Sequence, residues 1–321
     1  KLNYEMGWII LLFGGVFMNL KRDTYAIVDL DHLKYNVELA HSEFKRPLMA
    51  VIKADAYGHG YKEVASFLKD IDYIEMFAVA TLQEAIELRE LGINKGILIL
   101  GAIPTSKEDI DLAIKYDISL TMVSVAYLKL LDHLIDKGQT LKVHIKLDTG
   151  MHRIGIKPED AVEFIKRVES YENLEVDGFF SHMSNADAAD QSHAHGQAQK
   201  FHKMVDEIRA FRPDADYRFS LANSAGLLSV KDSLFTDARP GIIQYGIMPS
   251  LDVPNRLGLK PVLSFHSEVV HVQRLEAGEG IGYGSTYVTP EPMTIATIPV
   301  GYADGYPRSL SNRGTVLIHG T

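Results

Sequence analysis

Between residues 31 and 239 the chain repeats one pattern: a short, almost continuously apolar run, then a longer segment with helical spacing. The apolar runs are PLMAVIK (47–53), MFAVA (76–80), GILIL (96–100), ISLTMV (118–123), LKVHIKL (141–147), LEVDGFFSH (174–182), DYRFSLA (216–222) and SLFTDAR (233–239). Between them lie helical patterns such as YKEVASFLKD, LQEAIELRELG and VAYLKLLDHLIDKG, and a long one over about 191–211. Strands buried on both faces and alternating with helices predict a parallel sheet covered on each side. Eight such units in about 200 residues predict a (β/α)8 barrel rather than an open doubly wound sheet. No GxGxxG opens the first unit, which argues against the dinucleotide-binding alternative.

After Gly258 the texture changes. VLSFHSEVVHVQRLEAGEGIGYGSTYV and MTIATIPVGYADGYPRS alternate with period two and carry turn signals at EAGEG and ADG. The expected fold class is therefore α/β, a barrel over 18–256 followed by the start of an all-β domain over 257–321. Residues 7–17 (GWIILLFGGVF) are strongly apolar, but shorter than the stretch of about 20 that spans a bilayer. No A-x-A cleavage site follows them, and Met18 begins an ordinary start, so 1–17 reads as an upstream leader and no membrane partner is expected.

Composition narrows the chemistry. The net charge of −9 disfavours nucleic acid as a partner. The absence of cysteine removes disulfides, thiolate metal sites and cysteine nucleophiles, and fits a cytoplasmic protein.

Active sites of such barrels form at the carboxyl ends of the strands. The residues expected there are Lys53, Lys146, His182, Ser224 and Arg239. A lysine at a strand end often just reaches water; a partly desolvated one can instead form a Schiff base. The surroundings of Lys53 favour the second reading. DAYGHG brings glycines that allow close backbone approach, and Tyr57 offers a hydroxyl suited to phosphate. ANSAG, with Asn223 and Ser224, adds a hydroxyl and backbone amides at a helix start. Lysine plus phosphate donors in one barrel mouth points to pyridoxal 5'-phosphate (PLP). In IKLDTGMHRIG, Arg153 is either an ordinary surface arginine or one held for function between Met151 and Ile154. His182 is either a core histidine or a contact to a cofactor ring; no metal is expected. The histidines of HAH (193–195) do not share a helix face and are expected to be exposed.

Six separated motifs, AVIKADAYGHG, IKLDTGMHRIG, ANSAG, DARPGIIQYG, GIGYGSTY and PVGYADGYPR, occur in the order found in alanine racemases, and over about 20–321 the chain resembles that family. The resemblance implies a PLP enzyme that interconverts L- and D-alanine for peptidoglycan synthesis, acting as a homodimer with shared active sites. Lys53 resembles the lysine that holds PLP and acts as one acid/base. Tyr283 resembles the opposing base, contributed by the other subunit. Arg239 resembles the arginine at the pyridine nitrogen, and Arg153 the arginine near the catalytic tyrosine. Lys146 resembles a lysine often carbamylated. Tyr57, Ser224, Gly241 and Ile242 resemble the phosphate cradle, with Asn223 beside it, and His182 the ring-contacting histidine. Asp187, Tyr302 and Arg308 resemble residues of the substrate entry.

Family members continue past residue 321. The resemblance therefore implies a shortened β-domain, without the methionine–aspartate motif and the further tyrosine that the family carries there. A PLP decarboxylase of similar architecture is the nearest rival, but the protonating cysteine expected there is absent. Two more rivals stand beside it. One is a serine or broad-specificity racemase, including the soluble half of a membrane-anchored one. The second is a fragment or carrier that only binds PLP.

Overall fold

The computed structural model describes residues 23–101, 103–252 and 257–318. The leader expected over 1–17 lies outside the described residues. The chain divides into a unit of residues 29–262 and a second that joins the N-terminal stretch up to Val28 with 263 onward.

The second unit begins with β1 (Tyr25–Val28), and the first with α1 (Leu30–Phe44), whose N-cap Asp29 accepts the amides of Asp31 and His32. Then follow β2 (Leu48–Val51), the single turn α2 (Lys53–Gly58), α3 (Tyr61–Leu68), β3 (Ile74–Val79), α4 (Leu82–Glu90), β4 (Gly96–Ile99), α5 (Lys107–Lys115), β5 (Leu120–Met122), α6 (Val125–Leu134), β6 (Leu141–Lys146), α7 (Ala161–Glu169), β7 (Leu174–Phe180), α8 (Ser192–Phe211), β8 (Arg218–Ser220) and α9 (Ser224–Ser229). Polar caps set the helix starts that the sequence marks: Thr81 for α4, Ser106 for α5 and Ser124 for α6 each accept an amide from the first turn.

All strand pairs in this unit are parallel, in runs β2-β3-β4 and β5-β6-β7-β8. Parallel bridges Leu98–Ser119, Ser220–Asp237 and Leu48–Ala238 join the runs end to end and close the sheet into a barrel. The eighth strand, expected over 233–239, is thus reduced to a two-residue link. Asp237 and Ala238 pair to either side, while the preceding residues turn through a short 3-10 helix (Lys231–Ser233). Inward-facing Met49, Val51, Met76, Ala78, Leu98 and Phe180 form one buried cluster, as alternate strand positions should.

Among the described residues, the second unit is built of β-strands joined by turns and short 3-10 helices. Its antiparallel pairs are β1 with β9 (Leu263–His266), β10 (His271–Leu275) with β13 (Met293–Thr297), and β11 (Gly280–Ile281) with β12 (Tyr287–Val288). The expectation that the barrel runs from residue 18 differs here, because Tyr25–Val28 pairs with Leu263–His266 rather than with the barrel sheet. A four-residue strand read alone does not disclose a partner more than 200 residues away.

Candidate active site

A cavity of about 290 Å³ opens at the carboxyl ends of the barrel strands. Its lining includes Lys53, Tyr57, His182, Asn223, Ser224 and Arg239, together with Asp187, Gly241 and Ile242. Of the strand-end residues expected from the sequence, Lys53, His182, Ser224 and Arg239 line it. Lys146, the last residue of β6, is buried nearby, its Nζ 5.5 Å from the Phe180 ring centroid. The Arg239 guanidinium lies 5.4 Å from the same ring.

Lys53 begins α2, a turn of the opposite hand to an ordinary helix. Ala54, Asp55, Ala56 and Tyr57 have φ of 52–56°. Left-handed backbone costs a residue with a side chain roughly 1–2 kcal/mol, and such strain persists only where the surroundings over-determine it. Here Glu84 Oε1 accepts the Ala54 amide at 2.7 Å and Asp55 Oδ1 accepts the Tyr61 amide at 2.9 Å. The His59 ring, stacked on Tyr245 at 4.4 Å, donates from Nδ1 to the carbonyls of Ala56 and Tyr57. The turn carries Lys53 and Tyr57 into the same cavity, with Nζ 6.0 Å from the Tyr57 ring centroid.

One end of the cavity is a cluster of small donors. Ser224 Oγ accepts the Gly241 amide at 2.8 Å. A Cβ built on Gly241 would stand 3.1 Å from Tyr57 Oη and 3.6 Å from Ser224 Oγ. Glycine leaves room here that a Cβ would fill. Asn223 caps α9 by accepting the Gly226 amide, and its Nδ2 donates to the Met183 carbonyl at 3.0 Å. With the amide oriented this way, Nδ2 also faces His182 Nε2 at 3.3 Å, so Nε2 is an acceptor and the ring proton sits on Nδ1.

The charges are mostly positive. Arg239 is buried and donates to Ser220 Oγ at 2.5 Å, to the Leu221 carbonyl at 3.2 Å and to the Ser181 carbonyl. Burial lowers its pKa to about 10, opposed by Asp237, and it stays charged at neutral pH. Burial, followed by Arg239, Arg153, Lys146 and Lys53, pushes His182 down to about 3, which leaves it neutral. Lys146 falls to about 7 through burial, then Arg239 and Arg153, against Asp148. Lys53 is also lowered, by burial first and Arg153 next, with Glu84 opposing. Arg153 itself is exposed, and its effect on the site runs through these charges.

Tyr283, Tyr302 and Arg308 belong to the β unit. Tyr283 is fully exposed on a one-turn 3-10 helix between Gly282 and Gly284, both left-handed at φ 70° and 72°. The Arg308 guanidinium lies 6.0 Å from the Tyr302 ring centroid. His193 and His195 are exposed, as their spacing predicts.

Two supporting residues escaped the sequence reading. Glu84 is one. Gln197 is the other: buried on α8, it accepts the Ser184 amide and donates to the His182 carbonyl and Thr149 Oγ1 at 3.0–3.2 Å. The available signal was a glutamine on the apolar face of α8, between Ala194 and Phe201. Among the described residues, no helix is long and apolar enough to cross a membrane.

The model of the alanine racemase N-terminal domain matches residues 28–249, and that of the C-terminal domain matches 262–321. The alanine racemase of Halothermothrix orenii is 41% identical over 306 residues, which cover 94% of this chain and 79% of that protein. Among solved structures, alanine racemase from E. faecalis is 36% identical with a TM-score of 0.81, covering 92% of this chain and 79% of that one. Alanine racemase from Bacillus anthracis with bound L-Ala-P is 34% identical with a TM-score of 0.81, covering 91% and 76%. The barrel, its strand-end lysine, the domain matches and these identities lead to one conclusion: this chain belongs to the alanine racemase family, a family of isomerases.

Proposed function

We propose that the protein is a PLP-dependent alanine racemase that moves a proton between the two faces of the alanine Cα, with Lys53 on one face and Tyr283 of the partner subunit on the other. The observation that carries this reading is the content of one barrel cavity: a half-buried lysine, a Tyr57–Ser224–Gly241 cradle at one end, and a buried arginine, Arg239.

The cradle fits a phosphate. Tyr57 and Ser224 supply hydroxyls, Gly241 and Ile242 supply amides, and a Cβ at Gly241 would crowd the space such a group needs. When bound, PLP supplies a carbonyl for attachment to an amine and a conjugated ring that takes up the electron pair left at Cα. Lys53 is the attachment point: lowering its pKa makes the neutral, nucleophilic amine easier to reach. Freed from attachment, the same Nζ is a base for one face of Cα, and the tyrosine hydroxyl serves the other. Arg239, in the lining of the same cavity, would serve the ring nitrogen. A guanidinium has donors and no acceptor, so it favours an unprotonated nitrogen and a weaker electron sink. That limits side reactions such as transamination. Neutral His182, held by Asn223 and Gln197, would contact the ring.

Arg153 is assigned beside the catalytic tyrosine, and Lys146 is the candidate for carbamylation. Its pKa of about 7 leaves free amine at neutral pH, and Arg239 and Arg153 offset the negative charge that CO2 addition creates. Asp187, Tyr302 and Arg308 are assigned to substrate entry. The biological reading is a cytoplasmic homodimer that supplies D-alanine for peptidoglycan.

The experiment is Cα proton exchange followed by NMR in heavy water, with PLP and either L- or D-alanine. Exchange with inversion from both enantiomers is the expected result. Cofactor capture without exchange from either would reduce the chain to a PLP binder and overturn the proposal.

A further inference from the structure

We propose that Glu84 is a positioning residue for Lys53: its carboxylate ties the first amide of the left-handed turn to the N-terminus of α4, and so aims the lysine into the cavity. The inference rests on Lys53 being the PLP attachment point.

The geometry is specific. Oε1 accepts the amide of Ala54, the residue directly after Lys53, at 2.7 Å. Oε2 accepts the amides of Ala80 and Thr81 at 2.7 Å and 3.2 Å. One carboxylate thus joins the loops that follow β2 and β3, neighbouring barrel strands. A helix cap alone needs only the Thr81 contact, completed here by the Glu84 amide donating to Thr81 Oγ1 at 3.2 Å. The bond to Ala54 is additional, and it falls on the residue where φ turns positive. No other side chain of the described residues is seen to accept that amide. Aspartate is one methylene too short to span both loops. Glutamine replaces one acceptor with a donor that would face a backbone N–H.

The same carboxylate acts on Lys53 through its charge. The groups that face the ammonium are Arg153 from the loop after β6, His182 from the loop after β7, Tyr57 in the same turn and Glu84. Glu84 is the one that raises the Lys53 pKa, against burial and Arg153. Removing it should loosen the turn and lower the pH at which Lys53 loses its proton.

The test compares three full-length variants with the wild type, reading PLP capture by the visible absorbance of lysine-bound cofactor as pH is varied. Thr81→Ala removes the helix cap but leaves the Ala54 contact. Lys53→Ala controls for the attachment assignment itself. Glu84→Gln should shift the capture midpoint to lower pH and weaken capture, while Thr81→Ala titrates as the wild type does. Identical profiles for Glu84→Gln and Thr81→Ala would overturn the inference, with the function untouched. An unchanged band in Lys53→Ala would instead sink the function. Should Glu84→Gln fail to fold, Glu84→Asp carries the comparison: capture weaker than in Thr81→Ala supports the role, and equal capture overturns it.

Discussion

Gly241 leaves its α-carbon bare against Tyr57, so that a single added methyl would stand 3.1 Å from the tyrosine hydroxyl. The contact is tighter than ordinary packing, and on its other side lies Ser224 Oγ. Gly241→Ala should therefore displace the Tyr57 hydroxyl within the cradle. Loss of one hydrogen bond to a charged group, about 1.5–3 kcal/mol, corresponds to PLP affinity weaker by about ten- to a hundredfold. Equilibrium titration with PLP measures it, and unaltered affinity would remove Gly241 from the phosphate assignment.

Replacement of the two proposed bases separates their roles. Lys53→Ala should abolish the absorbance of lysine-bound PLP. Tyr283→Phe should keep that absorbance and slow proton transfer on the L-alanine side more than on the D side, within the range of about 10²–10⁴-fold that one positioned base contributes. Equal slowing of both directions, read by isotope exchange from each enantiomer, would count against a one-face role for Tyr283.

Lys146 gives the fold a pH dependence whose sign follows from its lowered pKa of about 7 against 10.5 for a free lysine. Between those values the unfolded chain holds the proton and the folded one does not, so stability rises with pH across that window. The slope from this one group reaches at most about 1.4 kcal/mol per pH unit. Chemical denaturation in CO2-free buffer should show a shallower rise for Lys146→Met than for the wild type. Labelled bicarbonate should in turn give a carbamate carbon signal in the wild type that the methionine variant lacks.

Gln197→Leu is expected to destabilise the barrel. The change leaves the Ser184 amide and the His182 carbonyl without their glutamine partner, while Thr149 Oγ1 keeps Ser181 Oγ at 2.8 Å. Unsatisfied groups of this kind cost about 1–3 kcal/mol each, so a loss of roughly 2–5 kcal/mol is expected after partial relaxation. Denaturant unfolding reads the loss, and a change below about 0.5 kcal/mol, the usual scale of surface substitutions, would show that the network is dispensable.

Much of this molecule is legible along the chain. Alternation of apolar runs with helical spacing specifies parallel strands and their helices, because side-chain periodicity is a local property that burial selects directly. Strand ends then locate Lys53, Lys146, His182 and Arg239, and ANSAG and DARPG announce a cradle before the fold is known. What only the tertiary structure decides depends on partners far apart in the chain. The eighth strand shrinks to the Asp237–Ala238 bridges because barrel closure needs register with Leu48 and Ser220, not a long apolar run. Tyr25–Val28 joins the β unit by pairing with Leu263–His266, a partner too distant in sequence for local pattern to disclose. The left-handed turn at Ala54–Tyr57 runs against the local preference of Ala54, Ala56 and Tyr57. It stands because Glu84 and His59 bind its backbone from outside the turn, while Asp55 ties it to the Tyr61 amide at the start of α3. Local sequence encodes what each residue prefers; only the assembled fold supplies the contacts that override the preference.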